Sequence, residues 1–461
     1  MTPGVTLLQS AQYIARTTPS LQKLTETWGS NASVALYLDR CQVDTPQRVV
    51  DEVWRQIIAR RSVIHHAVDY GAGDGRFAVG GTFTRYTGFE IDPSRCANVA
   101  LPRNAKLVTQ CAFESTHINA DLAIGNPPYV RNQDLPSGWR QKVSTLLEKK
   151  TAVSVSGLAN AWQYFFLWSL TTTSEAGLSA LVIPFEWVSR PSAKAIRAYI
   201  RQQQWKVSVY RLLDSTFHRV LTTSSITIVD KGTLTGEWEY FDQQADGTFT
   251  RMCSPTGTEA GVLAYATRTK RKLSAKRGLS PGTQKVFTLT EAERARLGLK
   301  IGRDVIPCVT TLRPIQGEIS LTETLFRKKF RDTGEKCWLI KANGKHSAAL
   351  EAYIASVPEE KVNTQTCLSR DKWWSFTIPT APDLLIATGF RGSFPKAVIN
   401  TCGAVAVGGV AGVYGASQAR RRSILQSISQ TNLDGSIVPH SNGLRKLEIN
   451  QLNTVLDTIT R

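Results

Sequence analysis

The segment Asn126-Pro127-Pro128-Tyr129 places hydrogen-bond acceptors and an aromatic ring directly after an apolar run. Residues 122–125 predict a buried strand, so the segment would lie at the carboxyl end of that strand, where open α/β sheets bind ligands. The two prolines lack N–H donors, which leaves carbonyl oxygens and the Asn126 amide oxygen as acceptors. These acceptors would hold the NH2 group of a planar ligand while its ring stacks on Tyr129. The same four residues could also simply turn the chain.

A glycine-rich turn upstream adds a second candidate binding element. Residues 62–70 predict a strand, residues 71–75 (GAGDG) follow it, and a helix is expected from Arg76. Glycine lets a ligand approach the backbone closely, as in nucleotide sites, although NAD, FAD or a plain turn would suit the pattern equally. About 20 residues further on, a second predicted strand ends at Glu90, where an acid accepts hydrogen bonds from ribose hydroxyls. A solvated carboxylate is the alternative interpretation of Glu90.

This constellation resembles the N6-adenine DNA methyltransferases of restriction–modification systems, in the gamma arrangement with an Asn-Pro-Pro-Tyr motif. The order matches: cofactor motifs first, catalytic motif next, target-recognition region last. Three further segments are similar to family segments: residues 42–50, residues 213–217 with the strand 225–229, and residues 443–448. The first resembles the segment that closes over the methionine end of S-adenosylmethionine.

The resemblance implies a role for each matching residue. Asp69 and Gly71 would hold the amino-acid part of the cofactor S-adenosylmethionine, Glu90 its ribose and Ile91 its adenine. The implied cofactor-binding residues are Thr45, Asp69, Gly71, Gly73, Gly75, Glu90, Ile91 and Phe113. The implied catalytic residues are Asn126, Pro127, Pro128 and Tyr129, and the base-stacking residues are Tyr129 and Phe217.

One position departs from the family pattern. The family often has an Asp-Phe pair whose acid accepts from the adenine amine of the cofactor, and here Ala112 precedes Phe113. Glu114 could substitute for that acid, a backbone carbonyl could do so, or cofactor affinity could be lower.

Composition bounds the class of protein. The 461 residues carry a net charge of +19, which indicates a polyanionic partner, and duplex DNA is the simplest one. Eight scattered cysteines without a CxxC pair predict reduced thiols in the cytoplasm and no structural zinc. No apolar run is long enough for a membrane span, and residues 2–16 lack the pattern of a secretory signal. We expect a monomer without a metal. A separate cognate restriction endonuclease acting on the same site is a candidate partner.

Alternating strand and helix patterns up to about residue 232 predict an α/β fold with a doubly wound, mostly parallel, Rossmann-like sheet. We expect a mixed α+β domain to follow it. We expect a cofactor-binding catalytic domain over residues 1–235, with a partly helical lead-in over residues 1–40. Residues 236–461 would form a target-recognition domain, entered through a turn-rich stretch at 233–247. The predicted strands are 63–70, 86–91, 106–109, 121–125, 178–184, 206–213 and 224–230, and the last two should pair antiparallel. The predicted helices are 47–60, 76–80, 159–175 and 192–204.

The second half of the chain contains three basic clusters, which suggest a groove that follows the phosphates of a nucleic acid. The clusters are residues 268–277, 327–331 and 420–422.

The aromatic residues of the 159–175 helix (Trp162, Phe165, Phe166 and Trp168) are expected in the core. The predicted function is methylation of N6 of a flipped adenine in duplex DNA. The alternatives are an RNA or protein-glutamine methyltransferase with the same pocket, or a catalytically inactive DNA-binding module.

Overall fold

In the computed structural model, the described residues are 43–459 without 98, 116–117, 158, 218–221, 260, 266–270, 316 and 442. The expected lead-in over residues 1–40 and part of the first basic cluster lie outside them. The chain divides into two compact units. The first comprises the chain up to Glu259 together with His440–Asn442, and the second comprises Ala260–Pro439 and Gly443–Arg461.

The first unit is built on a large, mostly parallel sheet, as the sequence predicts. Its described strands stand in the order β3-β2-β1-β4-β5-β7-β6-β8-β9. Strands β1 to β5 run parallel to one another. Strand β7 lies antiparallel between β5 and β6, so the predicted antiparallel pair of β6 and β7 is confirmed. The strands are β1 (His66–Tyr70), β2 (Arg85–Glu90), β3 (Ala105–Thr109), β4 (Ala120–Gly125), β5 (Thr173–Pro184), β6 (Lys206–Arg211), β7 (Ser224–Asp230), β8 (Trp238–Gln243) and β9 (Phe249–Met252).

Helices cover both faces of this sheet. The first begins after Pro46, whose fixed φ suits a helix start. The described helices are α1 (Gln47–Ile58), α2 (Pro93–Cys96), α3 (Ser137–Thr151), α4 (Ala161–Thr172) and α5 (Lys194–Gln202). The expected helix over residues 76–80 is wrong, because these residues form successive turns. Glycines at both ends of that stretch, Gly75 and Gly80, adopt positive φ values of 71° and 80°, which an α-helix does not accommodate. Helix α3 is absent from the sequence prediction.

The first unit extends beyond residue 235, where the sequence predicts the end of the catalytic domain. Strand β8 pairs parallel with β6, and β9 pairs antiparallel with β8, so the stretch expected to leave the first domain extends its sheet instead. Tyr240 on β8 is buried, and Phe241 stacks on Tyr210 with ring centroids 4.6 Å apart. The aromatic residues in this polar stretch therefore complete the sheet edge, and the first unit continues to Glu259.

The core of the first unit packs α1 against the sheet. Val53 and Ile57 of α1 are fully buried in one cluster with Leu122, Ile124 and further strand residues. Helix α4 covers another part of the sheet and buries Trp162, Phe166 and Trp168, as expected. Phe165 of the same helix differs, because it lines a cavity.

The second unit is mixed α+β, as predicted. Its described strands form a five-stranded sheet (β10-β19-β15-β17-β13), a four-stranded sheet (β11-β14-β12-β18) and a three-stranded sheet (β16-β21-β20). The strands are β10 (Ser274–Lys276), β11 (Thr288–Leu289), β12 (Val305–Val309), β13 (Ser320–Leu321), β14 (Trp338–Ile340), β15 (Leu384–Ala387), β16 (Gly389–Phe390), β17 (Ala397–Asn400), β18 (Val405–Ala406), β19 (Val410–Tyr414), β20 (Pro439–Ser441) and β21 (Leu444–Lys446).

Helices of the second unit pack around these sheets and enclose three apolar clusters. They are α6 (Gln284–Phe287), α7 (Glu291–Arg296), α8 (Glu323–Phe326), α9 (Ala348–Ser356), α10 (Glu359–Val362), α11 (Gln365–Leu368), α12 (Gln418–Gln430) and α13 (Ile449–Ile459). Within the described ranges of the whole chain, no helix is long and apolar enough to cross a membrane, and no three His, Cys, Asp or Glu side chains are grouped to hold a metal.

Candidate active site

A cavity opens at the carboxyl ends of strands β1, β2 and β4 in the first unit, the edge at which doubly wound sheets bind ligands. Its volume is about 870 Å³ when the open mouth is included. Seventeen residues line it, and they are Val43, Gly71, Gly73, Phe89, Glu90, Ile91, Arg95, Gln110, Cys111, Ala112, Phe113, Asn126, Pro128, Leu135, Trp139, Ala161 and Phe165.

The glycine-rich turn forms one wall of the cavity because its backbone lies close to the candidate catalytic loop, which comprises residues 126–129. The Gly71 amide donates to the Phe89 carbonyl at 2.8 Å, which ties the turn to the end of β2. Gly71 has a φ of +87°, and a Cβ there would lie 3.3 Å from Cδ of Pro128. Both the conformation and the close approach favour glycine. The structure thus brings the turn and the Pro-Pro segment together, as their positions at strand ends predict.

Glu90 anchors the turn from the end of β2. Its Oε2 accepts from the Gly73 amide at 2.8 Å, and its Oε1 accepts from the amides of Ile91 and Asp92 at 2.8 and 2.9 Å. Burial raises the pKa of Glu90 above its ordinary value, while these three amides act in the opposite direction. A carboxylate offers about four lone-pair sites and three of them accept these amides, so Oε2 keeps capacity for one further donor.

Asn126 has one end of its amide engaged and the other end unpartnered. Its Nδ2 donates to Oγ1 of Thr45 at 3.1 Å. Its Oδ1 is buried and has no hydrogen-bond partner among the described residues. A buried acceptor without a hydrogen-bond partner destabilises the folded protein, so its presence indicates that a ligand supplies the donor. Nearby, the Tyr129 hydroxyl donates to the Val182 carbonyl at 3.0 Å, which fixes the position of the ring.

Asp69 lies beneath this loop and does not line the cavity. It is fully buried, and its Oδ1 has no partner among the described residues. Burial raises the pKa of Asp69 to about 8. A Cβ on Gly125 would lie 2.2 Å from Oδ1, so the absence of a side chain at Gly125 makes room for the carboxylate directly before Asn126.

Charged side chains surround the mouth of the cavity. Arg95 lines it and pairs with Asp44 at 2.5 Å. Arg76 bonds Asp74 through Nε at 2.8 Å, and its Nη2 lies 3.3 Å from the Asp44 carboxylate. These ion pairs connect the segment before α1 with the glycine-rich turn and with α2.

Aromatic residues form the remaining wall, and sequence reasoning missed most of it. Phe113, which was predicted, contacts Trp139 and Phe165 edge-to-face at centroid distances of 5.4 and 4.9 Å. Trp139 belongs to the unpredicted helix α3, and Phe165 was expected in the core. The Ser137-Gly138 start after Pro136 was the available signal for α3. Arg95, Gln110 and Cys111 also line the cavity without having been predicted to bind.

Several predicted site residues lie elsewhere. Five of them are adjacent to the turn or the catalytic loop but do not line the cavity: Thr45, Asp69, Gly75, Pro127 and Tyr129. Phe217 is 8% exposed and packs in the core cluster that contains Tyr210 and Leu212. The described structure therefore does not bring Phe217 to the cavity, and residues 218–221 after it lie outside the described part of the chain.

The chain matches two family models that succeed each other along the sequence. Residues 88–216 match the Eco57I restriction-modification methylase family, and residues 263–432 match the C-terminal domain of the type II methyltransferase M.Eco57I. The first match contains Glu90, Phe113 and the Asn-Pro-Pro-Tyr segment, and the second covers most of the second unit.

Three solved structures are similar to parts of this chain. A type I restriction-modification methyltransferase subunit from Streptococcus thermophilus is 18% identical, with 48% of this chain and 54% of that chain covered and a TM-score of 0.37. The type IIG restriction endonuclease BpuSI is 12% identical, with 91% and 61% covered and a TM-score of 0.42. A nuclease-deletion mutant of the type ISP enzyme LlaGI is 13% identical, with 88% and 53% covered and a TM-score of 0.45. The present chain thus spans little more than half the length of these proteins.

Proposed function

Because this chain belongs to the restriction–modification methyltransferases, we propose that it transfers a methyl group from S-adenosylmethionine to N6 of a specific adenine in duplex DNA. The observation that carries the proposal is the buried, unpartnered Oδ1 of Asn126 at the edge of the cavity. An acceptor in that position suits an incoming amine. The exocyclic NH2 of adenine has two hydrogens to donate, and the Pro127 carbonyl would be the second acceptor.

The cavity offers the groups that S-adenosylmethionine requires. Glu90 has acceptor capacity for the ribose hydroxyls, and Ile91 with the Phe113 wall supplies apolar surface for the adenine. The buried Asp69 carboxyl beside Gly125 is the candidate partner of the ammonium group, whose positive charge would favour the ionised form of Asp69. When bound, S-adenosylmethionine supplies a methyl group on a positively charged sulfur.

The protein's own contribution is positioning and electrostatics. The amine of adenine is a poor nucleophile because its lone pair is conjugated with the ring. Two acceptors on its hydrogens favour a pyramidal nitrogen with a free lone pair, and Asn126 with Pro127 would supply them. The target base must leave the stack to reach this loop. Tyr129, whose hydroxyl is anchored on Val182, would stack on one face of the base, and Phe217 remains the proposed residue for the other face.

The second unit is the proposed target-recognition domain. Its basic clusters are partly used in internal ion pairs, because Arg271 pairs with Asp457 at 2.8 Å and Arg331 lies 3.3 Å from Glu291. The side chains of Arg327, Lys328, Arg420 and Arg422 are exposed and remain candidates for contacts to phosphates. The net charge of +19 supports a polyanionic partner.

A methylation assay tests the proposed function. The protein is incubated with isotopically methyl-labelled S-adenosylmethionine and either duplex DNA, tRNA or a protein extract, and modified nucleosides and amino acids are identified by mass spectrometry. We expect N6-methyladenine in DNA, and Asn126→Ala should lower the single-turnover rate by at least ~10²-fold, by analogy with loss of one oxyanion-hole donor. Calorimetry with S-adenosylhomocysteine should show unchanged affinity in this variant.

Label in tRNA or in protein glutamine would replace the DNA proposal with one of the alternatives. A near wild-type rate in Asn126→Ala would overturn the assignment of the catalytic loop. Single-molecule sequencing of host DNA with and without the gene would then define the recognition sequence. Cleavage of unmethylated DNA at that sequence by host extract would support a separate cognate restriction endonuclease.

A further inference from the structure

The side chain of Thr45 contacts Asn126 across a long stretch of sequence. Asn126 Nδ2 donates to Thr45 Oγ1 at 3.1 Å, and the two residues are 81 positions apart. Thr45 is 3% exposed, so water does not compete effectively for this bond. Thr45 belongs to the segment directly before α1, which is not part of the catalytic loop. The contact therefore joins two separate parts of the chain at the atom group on which the proposed chemistry depends.

The position of Thr45 is itself fixed. Arg76 Nη1 donates to the Thr45 backbone carbonyl at 2.6 Å, and the same guanidinium is bonded to Asp74. Asp74 lies in the glycine-rich turn after β1. The backbone of Thr45 is therefore tied, through Arg76, to the turn that forms one wall of the cavity.

The observed bond leaves one end of the Asn126 amide available. A carboxamide has one donor end and one acceptor end. With Nδ2 directed at Thr45, Oδ1 is the free end, and it has no partner among the described residues. In the reverse orientation the NH2 group would face the incoming amine, and two donors would oppose each other. Only the observed orientation presents an acceptor to a substrate amine.

We propose that Thr45 is a positioning residue whose hydroxyl orients Asn126, so that Oδ1 faces the amine to be methylated. This inference rests on the proposed function and deepens it, because it assigns the Thr45 side chain to the catalytic loop. The Thr45 backbone stays in place for any contact with the cofactor. The hydroxyl acts through Asn126 and touches neither the methyl group nor the base.

The test uses Thr45→Val, which removes the hydroxyl and keeps the branched shape, and Thr45→Ser, which restores the hydroxyl. Thr45→Val should lower the single-turnover rate of DNA methylation roughly tenfold, the effect of one lost buried hydrogen bond. Thr45→Ser should stay within about threefold of wild type. By calorimetry, affinity for S-adenosylhomocysteine should change less than about threefold in both variants. Thr172→Val is the matched control, since Thr172 is a buried threonine whose hydroxyl bonds the Trp168 carbonyl within its own helix.

A double-mutant cycle separates positioning from a structural role. In the Asn126→Ala background, Thr45→Val should cause no further loss of rate beyond about twofold, because the group that it orients is gone. If the double variant loses rate by the product of the two single-variant losses, the proposal is overturned. A wild-type rate in Thr45→Val would overturn it too, as would a loss of cofactor affinity in Thr45→Val as large as its loss of rate. Absence of DNA methylation by the wild-type protein would instead refute the proposed function, and the inference with it.

Discussion

The hydroxyl of Tyr86 donates a hydrogen bond of 2.7 Å to Oδ2 of Asp69, and both side chains are fully buried between neighbouring strands. The bond satisfies one carboxylate oxygen, while the other lies against Gly125 without a partner. Loss of solvation outweighs this single bond, so the pKa of Asp69 rises to about 8. A carboxyl group directly beneath the catalytic loop is therefore protonated over most of the neutral range.

This raised pKa predicts a dependence of stability on pH. The folded protein holds the Asp69 proton up to about pH 8, whereas the unfolded chain releases it near 3.8. The contribution of Asp69 to the free energy of unfolding is therefore fully favourable below about pH 4 and decreases as the pH rises to about 8. Asp69→Asn, which cannot ionise, should gain stability relative to wild type across this window. Urea unfolding at pH 5 to 9 measures the difference, and a difference that does not grow with pH would contradict the prediction.

Glu90→Ala should weaken binding of S-adenosylhomocysteine by roughly 10- to 100-fold, since the ribose hydroxyls would lose charge-assisted hydrogen bonds worth about 1.5–3 kcal/mol. Part of this loss of affinity will come from a less ordered glycine-rich turn, because the Gly73 amide also loses its hydrogen-bond acceptor. Calorimetry gives the affinity, and DNA binding should change little. Glu175→Ala is the control, because Glu175 is exposed at the opposite end of the same sheet. Unchanged affinity in Glu90→Ala would refute the ribose role.

Ala112→Asp should strengthen cofactor binding. Ala112 lines the cavity, whereas Glu114, the next acid along the chain, is exposed and lies 3.7 Å from Lys142. An acid at position 112 would add a charge-assisted acceptor for the adenine amine, which predicts a gain of roughly tenfold or more in affinity by calorimetry. Glu114→Ala should leave the affinity unchanged. If it is Glu114→Ala that weakens binding, Glu114 substitutes for the missing acid after all.

Gln110→Ala should reduce the preference of the protein for adenine in the cofactor. Gln110 lines the same part of the cavity, and a glutamine amide can pair with both the amine and a ring nitrogen of adenine. The measurement compares S-adenosylhomocysteine with its analogue lacking the 6-amino group. The wild type should bind the analogue at least several-fold more weakly, and Gln110→Ala should lose this difference. An undiminished preference would show that another group recognises the amine.

Phe217→Leu separates a packing role from a base-stacking role. Leucine should fill much of the buried space around Phe217, so thermal stability should remain close to wild type, whereas Phe217→Ala should cost about 3–5 kcal/mol. A leucine side chain provides no aromatic face, and the loss of base stacking predicts a roughly 10- to 100-fold lower rate. Fluorescence of 2-aminopurine at the target position reports the flipped base. A stable Leu variant with full activity and an unchanged signal would make Phe217 an ordinary core residue.

Local patterns determined the framework of the first unit. Runs of apolar residues ending in Gly71, Glu90 and Asn126 predicted three parallel strands with functional groups at their carboxyl ends, and the structure has these strands. Such predictions succeed because the placement of a strand-end residue follows from the parallel sheet alone.

Tertiary packing decided the rest, since it depends on contacts between residues distant in sequence. The meeting of Thr45 with Asn126, the Trp139 and Phe165 wall and the burial of Phe217 have no local signature. The sequence also did not predict that β8 and β9 extend the first sheet. This polar, turn-rich stretch forms a strand because the open edge of β6 offers hydrogen bonds and Tyr210 offers an aromatic face. The sequence alone determined which groups could carry out the chemistry, and the folded chain determined which of their atoms remain free to do so.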